Sequence, residues 1–235
     1  MPATRTARQR VRDEVTKEIL AVATAHLARD GAAALSLRSI ARDLEMAPSA
    51  LYRYFDGRDA LLSALILGAY ASLAEEAEKA ADAAERAGES EIERWLAVSR
   101  TMRTWALARP HEWGLIFGSP VPGYRAPEQT IVPYTRLAAA LVRPVTDAQR
   151  NGRLNERRQG QESSAAMDHA LAPVHDVLLP DSATTTVRRA LQSWATLIGL
   201  ISLELFGHFH NTVLDPELLF EATMHDAAVG IGLRT

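Results

Sequence analysis

Apolar residues recur at spacings of three and four along most of the chain, and no run alternates with the two-residue period of a half-buried strand. The pattern predicts an all-α fold. Val11, Val15, Ile19, Val22 and Leu27 form a first stripe, which Asp30-Gly31 ends, glycine suiting the left-handed stop after a last turn. Ser36 stands as the cap of a short helix whose Leu37, Ile40, Ala41 and Leu44 share a face. After the break at Glu45-Met46-Ala47, Pro48 occupies a first-turn position where its missing N–H costs nothing, and a third short helix is predicted from there to Phe55. Asp56, with Asp59 three residues on, reads as the cap of a fourth helix. Leu61, Leu65, Ala69, Leu73 and Ala77 carry it onward, long enough to link two modules.

Further helices are expected up to Ala87 before Gly88, from Glu91 to Arg109 before Pro110, and from His111 to Phe117. A helix from Glu128 to Arg150 contains Pro133 and Pro144 and is expected to be kinked or broken. Asn155 to Ser164 is polar enough to be mobile. Val187, Leu191, Trp194, Ile198, Ile201, Leu205 and His208 follow a four-three alternation, with Ala195, Gly199, Ser202 and Phe206 as a second stripe beside it. A helix apolar on two sides needs two partners: its own core, and either the rest of a large monomer or a two-fold copy joined by the last helix, Pro216 to Gly230. Leu191, Ala195, Ile198, Gly199, Ser202 and Phe206 are therefore the candidate residues of a homodimer interface.

Composition narrows the classes. With 235 residues, a small module over 1–65 and a larger one over 66–235 is the natural division. Apolar residues make up 47% and charged residues 23%, as in a water-soluble globular protein, and the absence of cysteine excludes disulfides, thiolate metal sites and cysteine nucleophiles. The richest apolar stretch is taken as Trp194 to Leu203, too short for a membrane span, and the first ten residues hold no apolar core behind their arginines, so a cytoplasmic protein is expected. Residues 1–60 carry ten bases against eight acids and the remainder 16 against 21, so a mildly basic end joins an acidic body. That asymmetry suits a polyanion-binding module with a basic arm of Arg5, Arg8, Arg10 and Arg12.

Two short helices about three residues apart are the arrangement that sets a helix into a DNA major groove. At about 100° per residue, Leu51 and Phe55 fall on one side of the second helix and Ser49 and Arg53 on the other. Tyr52 and Tyr54 flank it, where a phenol reaches a phosphate, and Arg53 offers a guanidinium to a guanine edge. The run Ser36-Leu37-Arg38-Ser39-Ile40-Ala41, followed by Leu51-Tyr52-Arg53-Tyr54-Phe55 and Arg58-Asp59-Ala60-Leu61-Leu62, resembles the DNA-binding domain of TetR-family transcriptional regulators over about residues 6–65. The resemblance implies that Tyr52 and Tyr54 touch phosphates, that Pro48, Ser49, Ala50 and Arg53 face bases, and that Arg58 stands where the family usually has lysine. Arg8, Arg12, Ser36 and Arg38 complete the candidates for contact with a double-stranded operator. Glu45 replaces the usual turn glycine and Ala47 the usual hydroxyl cap. Trp194, Gly199 and Leu203-Glu204 resemble a subset of the family with a tryptophan-histidine-glycine signature, Ile198 holding the histidine place. The resemblance also implies a homodimer, most simply a repressor, and a small-molecule effector.

Trp95, Met102, Trp105, Trp113, Phe117, Tyr134, Met167, His175 and Trp194 are the candidates for an effector pocket, whose lining favours a hydrophobic or aromatic ligand. Enzyme motifs are poor: His111-Glu112 lacks the second histidine of a zinc protease and Gly230-Ile231-Gly232 follows no strand. No catalysis, cofactor or resident metal is expected. The alternative reading is an all-α small-molecule-binding or catalytic protein whose N-terminal bundle is only structural.

Overall fold

The computed structural model describes residues 6–125, 127–155 and 163–234. The basic arm's Arg5 and most of the polar stretch from Asn155 to Ser164 lie outside the described residues. Among the described residues the chain is all-α: α1 Ala7–Asp30, α2 Leu37–Asp43, α3 Pro48–Leu51, α4 Arg58–Arg86, α5 Glu91–Ala108, α6 Pro110–Phe117, α7 Ile131–Arg150, α8 Ala165–Leu178, α9 Thr184–Leu205 and α10 Pro216–Ile231. They form two compact units, residues 1–69 with 111–130, and 70–110 with 131–235. A single cut after residue 65 therefore misses that 111–130 belongs with the N-terminal helices. α4 runs through the division as one unbroken helix.

In the first unit the core holds Ile19, Ala23 and Leu27 of α1, Leu37, Ile40 and Ala41 of α2, Leu51 of α3 and Leu61 and Leu62 of α4. Only the C-terminal half of the α1 stripe is covered, and Val11 remains 63% exposed. Gly31, at φ 76°, ends α1 and donates its N–H to the Leu27 carbonyl at 3.0 Å. The end of α2 is a left-handed stop on a non-glycine residue. Glu45 sits at φ 54°, its N–H bonded to Arg42, while Met46 N–H reaches the Ala41 carbonyl at 2.8 Å. Pro48 opens α3 as expected, but the helix ends at Leu51 instead of reaching Phe55. Arg53 and Tyr54 turn more tightly, their N–H groups meeting the carbonyls three residues back. α4 begins at Arg58 after Gly57, at φ 97°, so the position expected for an Asp56 cap is shifted by one residue.

In the second unit α5 is the central helix, packed on α7, α9 and α10. Trp95, Val98, Met102 and Ala106 of α5 are buried with Leu137, Leu141 and Val145 of α7, Leu197 and Ile201 of α9, and Phe220, Met224 and Ala228 of α10. Paired ions fix the register. Arg103 of α5 grips Glu204 of α9 through two bonds of 2.8 and 2.7 Å, both side chains only 15% exposed, and Arg100 grips Glu221 of α10 in the same fork. Arg136 and Arg143 of α7 meet Glu78, Asp82 and Glu85 of α4.

Several expectations need correction here. α7 is continuous across Ile131–Arg150: Pro133 lies in its first turn, where the N–H would have no intrahelical partner, and Pro144 is accommodated within the helix. The core face of α9 is Thr186, Val187, Ala190, Ser193, Leu197 and Ile201, so the predicted stripe is rotated: Leu191, Trp194 and Ile198 are only partly covered and His208 is exposed. The richest apolar stretch lies in α4, which is long and apolar enough by length and composition to cross a membrane, with 44% of its most apolar window buried within the protein. Leu61, Leu62, Leu65, Ile66 and Leu73 account for much of that burial.

Candidate nucleic-acid interface

The turn between α2 and α3 sets residues 48–55 against the core. Leu51 is wholly buried and Phe55 is 7% exposed, which anchors one side of residues 48–55 in the core. Pro48, Ser49 and Arg53 are exposed on the other side, Ala50 is partly covered, and Tyr52 is 49% exposed. The outward surface is thus small, polar and carries one guanidinium, dimensions and chemistry that fit a major groove. A cleft of about 750 Å³ runs beside it, lined by Arg8 and Arg12 of α1 together with Met46, Ala50, Arg53 and Tyr54.

Two candidates are engaged within the protein. Arg12 lies over the Tyr54 ring, 5.4 Å from its centroid, and donates from Nη2 to the Arg53 carbonyl at 3.3 Å. Arg58 donates to the carbonyls of Ala32 and Ala33 at 2.9 and 3.4 Å, holding the turn after α1. Ser36 stands at the N-cap of α2, yet its hydroxyl makes no capping bond, and Arg38 is exposed one residue inside that helix. Ala47 has the extended N-cap backbone without a side chain to use it.

Sequence spacing did not reveal the tie between α1 and α2. His26, 3% exposed, bonds Asp43 at 2.6 Å, and that bond holds the Asp43 carboxyl below the usual carboxylate range. The separation of 17 positions follows no helical period, so only the packed fold brings the partners together.

Comparison with known proteins places these features. Residues 19–65 match the family described as bacterial regulatory proteins of the tetR family, and residues 95–227 match the tetracyclin repressor-like C-terminal domain. The chain belongs to the TetR family. The HTH-type transcriptional regulator Rv1816 of Mycobacterium tuberculosis is 33% identical over 217 residues, covering 92% of this chain and 91% of that protein. Among solved structures, the regulatory protein SCO4313 superposes with a TM-score of 0.76 at 36% identity over 94% of this chain and 98% of its own. A TetR family transcription regulator from Marinobacter aquaeolei VT8, at 20% identity and a TM-score of 0.58, shares the fold over 94% of this chain and 97% of its own. This TetR-family chain is accordingly a DNA-binding transcriptional regulator, and residues 48–54 lie within the stretch that matches the family's N-terminal model.

The residues expected to line an effector pocket do not converge. Trp95 and Met102 are fully buried core, and Trp105, 3% exposed, donates its indole N–H to Ser72 at 3.1 Å. Trp113 and Phe117 meet with ring centroids 4.5 Å apart and planes tilted by 49° in the first unit. Met167 is 38% exposed on α8, and His175 is engaged by Asp176 at 3.1 Å and the Ser182 carbonyl at 3.0 Å. Tyr134 and Trp194 do meet, edge to face at 5.7 Å, and Tyr70 of α4, which the sequence did not single out, meets Tyr134 at 6.0 Å on its other side. Burial pushes the Tyr70 phenol up to about 12, with the neighbouring Tyr134 adding to it, and raises Tyr134 as well, so both are neutral hydrogen-bonding groups.

Proposed function

We propose that this regulator is a homodimeric repressor that reads a two-fold-symmetric operator in successive major grooves and is released by a hydrophobic or aromatic effector. The observation that carries the reading is the division of residues 48–55: Leu51 and Phe55 in the core, Ser49 and Arg53 outward beside a cleft lined by arginines. Pro48, Ser49, Ala50 and Arg53 face base edges in this reading, Tyr52 and Tyr54 face phosphates, and Arg8 and Arg38 extend the basic surface. Dimerisation is supported by the open side of α9, where Ala195 is exposed, Phe206 is 50% exposed and a side chain added at Gly199 would meet nothing within 4 Å. Two such faces approach closely because their central residues are small.

The effector site best supported is the aromatic row Tyr70, Tyr134 and Trp194, drawn from α4, α7 and α9. A flat apolar ligand that displaced these rings would bear on α4, the helix that continues into the reading unit, and so favour a state in which the two heads fit the operator poorly. The test is selection of a randomised duplex pool on the purified protein, then a salt titration of the winner. A palindromic winner, with log affinity falling by about 0.9 per phosphate neutralised, supports the reading. Folded protein that enriches no sequence, with or without aromatic ligands, overturns it.

A further inference from the structure

The reading segment is poorly self-supporting. α3 has four residues, its N-cap is Ala47 without a capping side chain, and Arg53 and Tyr54 lie past its last α-helical turn. A single turn of helix has too few internal bonds to persist alone, so its conformation depends on what packs against it. Leu51, the last residue of α3, and Phe55, just past the segment, are anchored in the core. Between these anchors the Arg53 carbonyl, outside the helix's own ladder, accepts a bond from Arg12, whose guanidinium carbon also lies over the Tyr54 ring, 5.4 Å from its centroid. One side chain from α1 therefore holds two consecutive residues of the segment across 41 positions of chain.

We propose that Arg12 is a positioning residue for the reading segment, fixing the orientation of Arg53 and Tyr54 before DNA arrives. The inference rests on the DNA-reading role of residues 48–54. A guanidinium can lie flat on a phenol while an edge N–H donates in plane; an ammonium on a flexible stem cannot do both in one geometry. Lysine at position 12 would thus keep the charge that a phosphate needs and lose the fixture. Preorganisation of this kind acts on discrimination, because a segment that samples several orientations meets correct and incorrect bases alike.

The experiment compares the full-length wild type with Arg12→Lys and Arg12→Ala. Amide exchange of the DNA-free protein is expected to quicken by roughly tenfold at Arg53, Tyr54 and Phe55 in both variants, with α5 unchanged. Affinity for the duplex enriched by the wild type is expected to fall by about tenfold in both, with a much smaller loss on a scrambled duplex of the same length. Unchanged exchange, restoration by lysine and equal losses on the two duplexes for alanine would make Arg12 an ordinary phosphate contact and overturn the proposal. If the wild type enriches no duplex, the operator reading fails separately, and the exchange data alone decide whether Arg12 fixes the segment.

Discussion

Arg53 and Tyr52 carry different tasks if the outward surface of residues 48–54 is read as a groove-entering one. Arg53→Ala is expected to lose about 1–3 kcal/mol of discrimination between matched and mismatched duplexes, whereas Tyr52→Phe weakens both alike. Competition titrations with paired duplexes separate the two, and parallel losses for both variants would contradict the division. Arg58 has a mechanical task. Its bonds to the Ala32 and Ala33 carbonyls make Arg58→Met a stability change, with a loss of roughly 1–2 kcal/mol in chemical denaturation. His175 sets a pH dependence. The Asp176 carboxylate, helped by the Ser182 carbonyl, raises its pKa in the folded chain, so protonation is more favourable there than in the unfolded chain. The stability it contributes is full below the unfolded histidine value of about 6.5 and fades as pH rises through the higher folded value. The melting temperatures of wild type and His175→Gln are therefore expected to differ more at acid than at alkaline pH; an equal gap across the range would remove this role.

At the scale of elements, the sequence was most legible where local chemistry decides and least where tertiary contacts do. The left-handed turn at Glu45 was readable through the family resemblance, in which that place usually holds glycine, and the backbone adopts it at φ 54°. Glu45→Gly should relieve about 1 kcal/mol of that strain and Ala47→Ser should add a cap of similar worth, both read as higher midpoints in denaturation. An unchanged midpoint for Glu45→Gly would mean that the α2 stop tolerates a side chain without cost. The length of α3 was not legible, because Leu51 and Phe55 mark a helical face whether the chain between them is α-helix or tighter turn. α8 was missed for a different reason: none of its residues is buried, so no stripe announced it, and Pro173 lies inside it. The rotated core face of α9 shows the limit of periodicity, since Ser193 and Thr186 are buried while the larger Trp194 keeps part of its surface exposed. Aromatic identity likewise could not separate Trp95, which is core, from the exposed Tyr134.

For the whole molecule, α4 runs from the unit that holds α1 to α3 into the helical unit built around α5, and the homodimer proposed above would use the open stripe on α9. Ala195→Glu combined with Phe206→Glu is expected to leave helicity intact and yield a particle near 25.7 kDa by sedimentation, against twice that for wild type. A variant still sedimenting as a dimer would assign the interface elsewhere. The most direct test of the central claim is the mass of the complex formed with the duplex that wild type enriches, measured beside the same duplex cut to one half-site. The account predicts two chains on a palindrome with half-site centres about 10 base pairs or a multiple apart, and much weaker binding to the half-site. One chain per duplex at full affinity, or a winning sequence without two-fold symmetry, would contradict it.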